Sequence, residues 1–236
     1  MVGLLIMVWS SLAQADDIGA QWLSRIDAAA SVEDAHMLLD LVVTDSSGEQ
    51  ATREIEIWQS GDEQRLVRMT APARLKGVGL LVTHGDALHL FLPRYPPARR
   101  VVGNSRADAF MGTDFAIDDL SRLQLADDYE AEVLGEDGDL TRLLLNPTAR
   151  DDETSLKIWV GSDNVIRKLE HLDADGAPTR RITMTEIQDV GGVMLAHDLM
   201  VEDLQRFRTT RATLRNVTVN QGVDEGLFTV SNLENP

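Results

Sequence analysis

Five histidines, His36, His84, His89, His171 and His197, are the side chains best suited to hold a metal ion or move a proton, and His84 and His89 flank a Gly-Asp turn that can bring them together. Two imidazoles make a metal centre only when a third ligand converges on them. The chain has no zincin pattern and no cysteine, so ordinary histidines on strands are expected. The acid groups Asp127-Asp128, Asp151-Asp152-Glu153 and Asp224-Glu225 could supply carboxylates for hydrolysis or for calcium. They sit in turn-like, solvated surroundings, and none forms an EF-hand loop. No G-x-S-x-G elbow, phosphate-binding glycine loop or G-x-G-x-x-G leads from a strand into a helix. The reading therefore assigns no catalytic residue, no metal and no cofactor.

Two other groups carry chemistry of a different kind. Arg94, Arg99, Arg100 and Arg106 place four guanidinium groups within thirteen residues of a very acidic chain. They are either solvated loop charge or a contact for lipid headgroup phosphates or an acidic partner surface. Directly after them comes "AFMGTDFAIDDLSR", Ala109 to Arg122. Thr113 or Asp114 can cap a helix beginning near Phe115, with Asp118 and Asp119 in its first turns, where negative charge is favourable. Leu120 and Leu123 follow Ile117 by threes, so one side of this helix is greasy. The acids then read as cap and solvated face, the aromatics Phe110 and Phe115 with Met111 as a plug, and Gly112 as the point where the chain bends. A fixed cover over a sheet and a movable lid both fit this pattern.

The elements that must position these residues are mostly strands. From about His36 the pattern has period two, as in "TREIEIWQS", with Ile55 and Ile57 on one face and Glu54 and Glu56 on the other. Strand-like segments recur at Gln64–Thr70, Val78–His84, Ala87–Leu92, Glu130–Leu134, Leu140–Asn146, Leu156–Gly161, Val165–Leu172, Thr179–Val190, Val193–Glu202 and Thr209–Val219. Between them "SSGE", "SGDE", "GEDGD", "GSDN", "DADGA" and "VGGV" supply the residues of tight turns, which makes consecutive strands antiparallel. From Leu92 to Tyr129 the pattern lapses, and Pro93, Pro96 and Pro97 at its start deny the donors of a central strand. An amphipathic helix is expected behind Asp16 and Asp17, with Ile18, Trp22, Leu23 and Ile26 on one side. About ten strands must curl as their twist accumulates, giving an unclosed antiparallel β-barrel whose hollow two short helices plug.

Composition bounds the function. The 236 residues are 43% hydrophobic, enough for one substantial core, and 22 Lys+Arg against 39 Asp+Glu give a net charge of −17, which repels nucleic acid. The apolar run from Val2 to Leu12, followed by Ala13-Gln14-Ala15, has the form of a signal peptide and is too short for a bilayer span, which needs about 20 apolar residues. The expectation is a leader at residues 1–15 and a single exported domain at 16–236, free of disulfides and, lacking a cysteine, free of a lipid anchor.

The strings "PARLKGVGLLV", "LHLFLPRYPPARRVV", "RADAFMGTDFAIDDL" and "VNQGVDEGLFTVSNLE", in this order, resemble the LolA-like outer-membrane lipoprotein-sorting family. Its members pair a Pro-x-x-x-Lys-Gly stretch with a "YLP…RR" segment and an "F-M-G-S-D-F" motif. Thr113, His89 and Phe91 stand where the family more often has serine, tryptophan and tyrosine. The resemblance implies a half-barrel with helices in its mouth, an apolar cavity for acyl chains of lipids or lipoproteins, and transport through the periplasm. It also implies as partners an inner-membrane exporter, of the resistance-nodulation-division type in relatives, and an outer-membrane acceptor. Under this reading the candidate cavity and lid residues are Leu80, Leu90, Leu92, Phe110, Met111, Phe115, Ile158 and Met184, with strand parity left open. A sensor or assembly module of the same fold, binding a lipidated or misfolded outer-membrane protein, is the alternative.

Overall fold

The computed structural model describes residues 9–85, 87–148 and 154–235. Its strands are β1 (Asp34–Thr44), β2 (Gln50–Ser60), β3 (Gln64–Ala71), β4 (Gly79–Thr83), β5 (Ala87–Phe91), β6 (Arg99–Arg100), β7 (Tyr129–Asp137), β8 (Leu140–Pro147), β9 (Leu156–Val160), β10 (Ile166–Leu172), β11 (Pro178–Val190), β12 (Val193–Asp203) and β13 (Arg208–Val219). They form one antiparallel sheet in the order β6-β5-β4-β3-β2-β1-β13-β12-β11-β10-β9-β8-β7. Neighbours in the sheet are neighbours in sequence except at the pairing of β1 with β13, which sets Leu41 opposite Ala212. The sheet does not close: its two edges, β6 and β7, are consecutive strands. The open seam therefore falls where the strand pattern of the sequence lapses, and residues 101–128 join the two edges.

Period two decides which side chains enter the hollow. On β1 the inward residues are Leu39, Leu41 and Val43; on β2 they are Ile55 and Ile57. All of these but Val43 pack with Val67 and Met69 of β3, Leu80 and Val82 of β4, Ile182, Val201 and Ala212 in one cluster. On the outer face Leu66, Leu81 and Phe91 are covered by Phe228 and by Leu233 of the C-terminal helix α3 (Val230–Glu234).

Helix α1 (Trp9–Ala30) fills the other part of the hollow. Its Leu23 and Ile26 are buried against Tyr129, Leu143, Leu145, Leu156, Ile158 and Val160. The expected leader lies in part outside the described residues. The helix backbone runs through Asp16 and Asp17, so these acids lie within it and do not begin it; no Gly or Pro stands between Trp9 and Ile18 to stop propagation. Gly19 lets α1 reach the edge strand, since a Cβ there would stand 1.8 Å from the Ala131 carbonyl oxygen of β7. Gly19→Ala must push the helix off the backbone of β7, and a loss of about 1–3 kcal/mol in denaturant unfolding is expected. Ile18→Ala, at a neighbouring half-exposed position, should change stability by no more than about 0.5 kcal/mol.

Candidate functional site

The seam segment folds as a compact cover. After β6 it makes two 3₁₀ turns, Gly103–Ala107 and Phe110–Gly112, and then helix α2 (Ile117–Ser121). The Phe110 N–H donates to the Phe115 carbonyl at 2.8 Å and the Ile117 N–H to that of Asp108 at 2.9 Å, closing residues 108–117 into a tight loop. Met111 (φ 49°) and Gly112 (φ 76°) supply its left-handed bend. Phe110, Phe115, Ile117 and Leu120 all enter the hollow and are buried, Phe110 completely. The space beneath the segment is thus filled by the segment's own side chains.

Leu80, Phe110 and Phe115 meet in this cluster, and Leu90, Leu92, Met111 and Met184 pack at its margin, half-buried. Ile158 lies on the same face of the sheet but beneath α1, in the neighbouring cluster; Leu169 touches both. Met184 also lines a recess of about 200 Å³ beyond the C-terminal end of α1, with Ile26, Ile166, Met194 and Leu195. A second recess, of about 390 Å³, lies between α1 and β7, against Ala20, Leu23, Tyr129 and Ala131.

The acids of the segment depart from the sequence reading. They are not a solvated face: Asp114 and Asp119 are polar pins set into the sheet, and Asp118 is paired within the cover. Asp114 is buried; its N–H donates to the Thr210 hydroxyl at 2.9 Å, and that hydroxyl donates to its carboxylate at 2.7 Å. Burial raises the Asp114 pKa above the ordinary value, with the Thr210 hydrogen bond and the Arg208 charge working against it. Asp119 accepts from Arg180 of β11 at 2.9 Å and lies 3.1 Å from the His171 ring of β10. Its second oxygen caps α2 by accepting from the Ala116 N–H at 2.7 Å, so Ala116, not Thr113 or Asp114, precedes the first helical residue. Burial alone would raise the pKa of Asp119, but Arg180 and His171 outweigh it and hold the carboxyl at about 2. Asp118 pairs with Arg106 at 2.8 Å and with Arg122. The half-buried Arg65 of β3 donates to the carbonyls of Leu120 and Arg122, at 3.3 and 3.0 Å, at the end of α2.

The four arginines of the basic cluster therefore separate. Arg94, Arg99 and Arg100 are exposed, beside Tyr95, which is 64% exposed. Arg106 is buried and ion-paired with Asp118 inside the cover, so its guanidinium is not displayed with theirs. Of the histidines, His36 stacks on Trp58 and bonds Glu56, His84 bonds Glu63, and His171 belongs to the Asp119 pin. Among the described residues no three His, Asp or Glu side chains are placed to hold a metal ion. Sequence reading missed Arg53 and Arg208. Period two carried the signal for Arg53, because it places this cation on the face of Ile55 and Ile57.

A family model described as "Uncharacterized protein"-like matches residues 61–235. The chain belongs to this family. No curated protein matches it. Solved structures of the same fold include a DUF1329 family protein from Desulfovibrio piger, at 19% identity, TM-score 0.85, covering 93% of this chain and 99% of that one. A domain described as an outer membrane lipoprotein-sorting protein, from Vibrio parahaemolyticus, matches at 20% identity and TM-score 0.83, over 93% and 99% of the two chains. A LolA superfamily protein from Nitrosomonas europaea matches at 17% identity and TM-score 0.75, over 89% and 97%. The fold is thus LolA-like: a large antiparallel sheet, not closed into a barrel, with few helices. Among the described residues no helix is long and apolar enough to cross a membrane.

Proposed function

We propose that residues 16–236, after removal of a leader at 1–15, act in the periplasm as a non-enzymatic carrier that shields acyl chains of a lipid or lipoprotein in the half-barrel. One observation carries this reading: the part of the hollow that α1 leaves open is closed by Phe110, Phe115, Ile117 and Leu120 of a segment that bridges the open seam, packed onto the inward side chains of the sheet. The fold shared with a lipoprotein-sorting domain supports it. The cavity would be lined by Leu80, Leu90, Leu92 and Met184, with Ile158 reached once α1 yields. The exposed Arg94, Arg99 and Arg100 would meet the headgroup or a partner, in transfer from an inner-membrane exporter to an outer-membrane acceptor.

Magnitudes show why such a plug can be exchanged. Two buried Phe side chains withhold about 300–500 Å² from water. At about 25 cal/mol per Å², withdrawing them costs at most about 7–12 kcal/mol. An acyl chain gains about 0.8 kcal/mol per buried CH₂, so about fourteen methylenes return about 11 kcal/mol. Ile117 and Leu120 add about 3–6 kcal/mol, so the closed form is stable alone and one or two acyl chains match the cost of displacing the plug. Mass spectrometry of protein gently purified from the periplasm, paired with titration by a fluorescent fatty acid, tests the reading. Co-purified acyl lipid, intact on incubation, and displacement of it by the probe are expected; absence of both, or release of free fatty acid from bound lipid, would overturn it.

A further inference from the structure

Beyond the acyl cavity, the rim of the hollow holds a buried cation without a partner anion. Arg53 is the first inward-facing charged residue of β2, one layer outside Ile55 and Ile57, and it is only 9% exposed. Its Nη1 donates to the Thr52 carbonyl at 2.9 Å, while its Nε has no hydrogen-bond partner. Among the described residues no carboxylate pairs with it. The other buried arginine, Arg106, has Asp118; of the half-buried ones Arg180 has Asp119, Arg65 has the Gln59 side chain and two helix-end carbonyls, and Arg68 has the Asn232 carbonyl. A guanidinium stays charged at any ordinary pH and presents five donors, so burying it without a carboxylate, with Nε left without an acceptor, costs stability.

Two further cations converge on the same place. Arg208 opens β13 at the same rim; its Nη2 donates to the Gly112 carbonyl at 2.9 Å, and its Nε lies 3.5 Å from the Asp114 carboxylate without a hydrogen bond. A Cβ on Gly112 would sit 3.7 Å from Arg53 Nη2, so both guanidinium groups reach the bend of the cover. Arg74 stands exposed in the turn between β3 and β4, and the β2–β3 register, which sets Glu54 opposite Ala71, brings that turn to the Arg53 end of β2. Burial, and then the charges of Arg74 and Arg208, lower the pKa of Arg53, which places the three in one electrostatic neighbourhood. Two acids lie beside them: Asp114, which is shared with Thr210, and Asp203, opposite Arg208 in the β12–β13 register, whose carboxylate accepts from the Gln205 and Arg206 N–H groups.

We infer that Arg53, Arg74 and Arg208 form a binding site for a phosphate-bearing anion at the mouth of the half-barrel, and that a phosphate there seats the headgroup of a lipid whose tail runs down the Ile55–Ile57 face. This rests on the carrier reading for the tail but not for the anion. Forked guanidinium donors match phosphate oxygens, and bonds to such charged groups are about twice as strong as neutral ones. The position explains a buried cation that otherwise only destabilises the fold. It also makes the ligand class narrower than a bare hydrocarbon, namely an anionic amphiphile.

The test compares dioctanoyl phosphatidylglycerol with dioctanoylglycerol, which has the same tails and no phosphate, by calorimetric titration of the mature chain. Inorganic phosphate is added alone in a thermal-shift arm. The phosphatidyl lipid is expected to bind about tenfold tighter or better, as two or three charge-assisted hydrogen bonds would give, and Arg53→Gln and Arg74→Gln should each reduce that ratio several-fold. Arg74 is exposed, so its variant reports even if the Arg53 variant fails to fold. Equal affinity for the two lipids in the wild type, or a ratio unchanged in Arg74→Gln and in a folded Arg53→Gln, overturns the site and leaves the carrier standing. A thermal shift with phosphate that is lost in Arg74→Gln, without binding of either lipid, keeps the anion site and removes the carrier. Binding of neither lipids nor phosphate removes both.

Discussion

Phe110→Ala is expected to tighten binding of a fluorescent fatty acid by roughly a hundredfold while it lowers the thermal stability of the unliganded protein. The two effects share one cause. Phe110 is completely buried in the closed form, and truncating such a side chain costs about 3–5 kcal/mol through lost transfer energy and the cavity left behind. In the loaded form the acyl chain occupies that space and Phe110 has left it, so the truncation weakens only the state that competes with the ligand. A ligand no longer opposed by about 3 kcal/mol of plug gains about two orders of magnitude in apparent affinity. Leu81→Ala gives the contrast, since Leu81 is equally buried but lies on the outer face beneath Phe228 and Leu233. It should lose comparable stability without a gain in affinity. If Phe110→Ala behaves as Leu81→Ala does, the cover is permanent core and the hollow is not a site.

Much of the architecture is legible in the chain because period two and turn chemistry are local signals. The segments read as strands from Gln64 to Val219 correspond closely to β3–β5 and β7–β13, and the gap from Leu92 to Tyr129 coincides with the open seam. Parity was hardest where both faces of a strand are buried. "GLLV" of β4 is apolar throughout, because Leu80 meets the cover and Leu81 meets α3, so alternation carries no information there. Which helix covers a given inward residue is likewise a tertiary fact. Ile158 is inward-facing, but its neighbours are Leu23 and Ile26 of α1, more than 130 residues earlier in the chain.

The acids of the cover were misread for the same reason. Asp114 and Asp119 share with Asp118 the spacing of a polar helix face, and while Asp118 finds its partners Arg106 and Arg122 nearby, nothing within a few residues reveals those of the other two. Their partners Thr210, Arg180 and His171 arrive from strands 50 to 100 residues away in sequence, once the sheet has curled. The cover is therefore held in two ways. Its aromatics supply energy with little direction, and its carboxylates supply direction, because Asp114 binds β13 and Asp119 binds β10 and β11 at fixed points. A plug held by apolar contact alone could settle in several positions, whereas a pinned one has a single seat.

Asp119→Ala should accordingly cost about 3–5 kcal/mol, because it removes the cap at the Ala116 N–H and leaves Arg180 buried without its carboxylate. Asp119→Asn keeps the shape and an acceptor for the cap, loses the charge, and should cost less. The pH dependence identifies the pin. The carboxyl titrates at about 2 in the folded protein against 3.8 in the unfolded chain, a depressed value. Its stabilisation, about 2 kcal/mol, is present above pH 3.8 and is lost as the pH falls from there through about 2. Asp114 has the opposite sign: its folded pKa is raised, so acidification relieves it, and that gain is complete by the time pH 3.8 is passed. Denaturant unfolding of the wild type and Asp119→Asn between pH 5 and pH 2 separates the two, since their difference removes every other acid. The gap between the curves should be constant above pH 4 and shrink by about 2 kcal/mol below it. A gap that does not change over that range would mean that Asp119 is not held by Arg180 and His171, and that the cover is fastened by its apolar side chains alone.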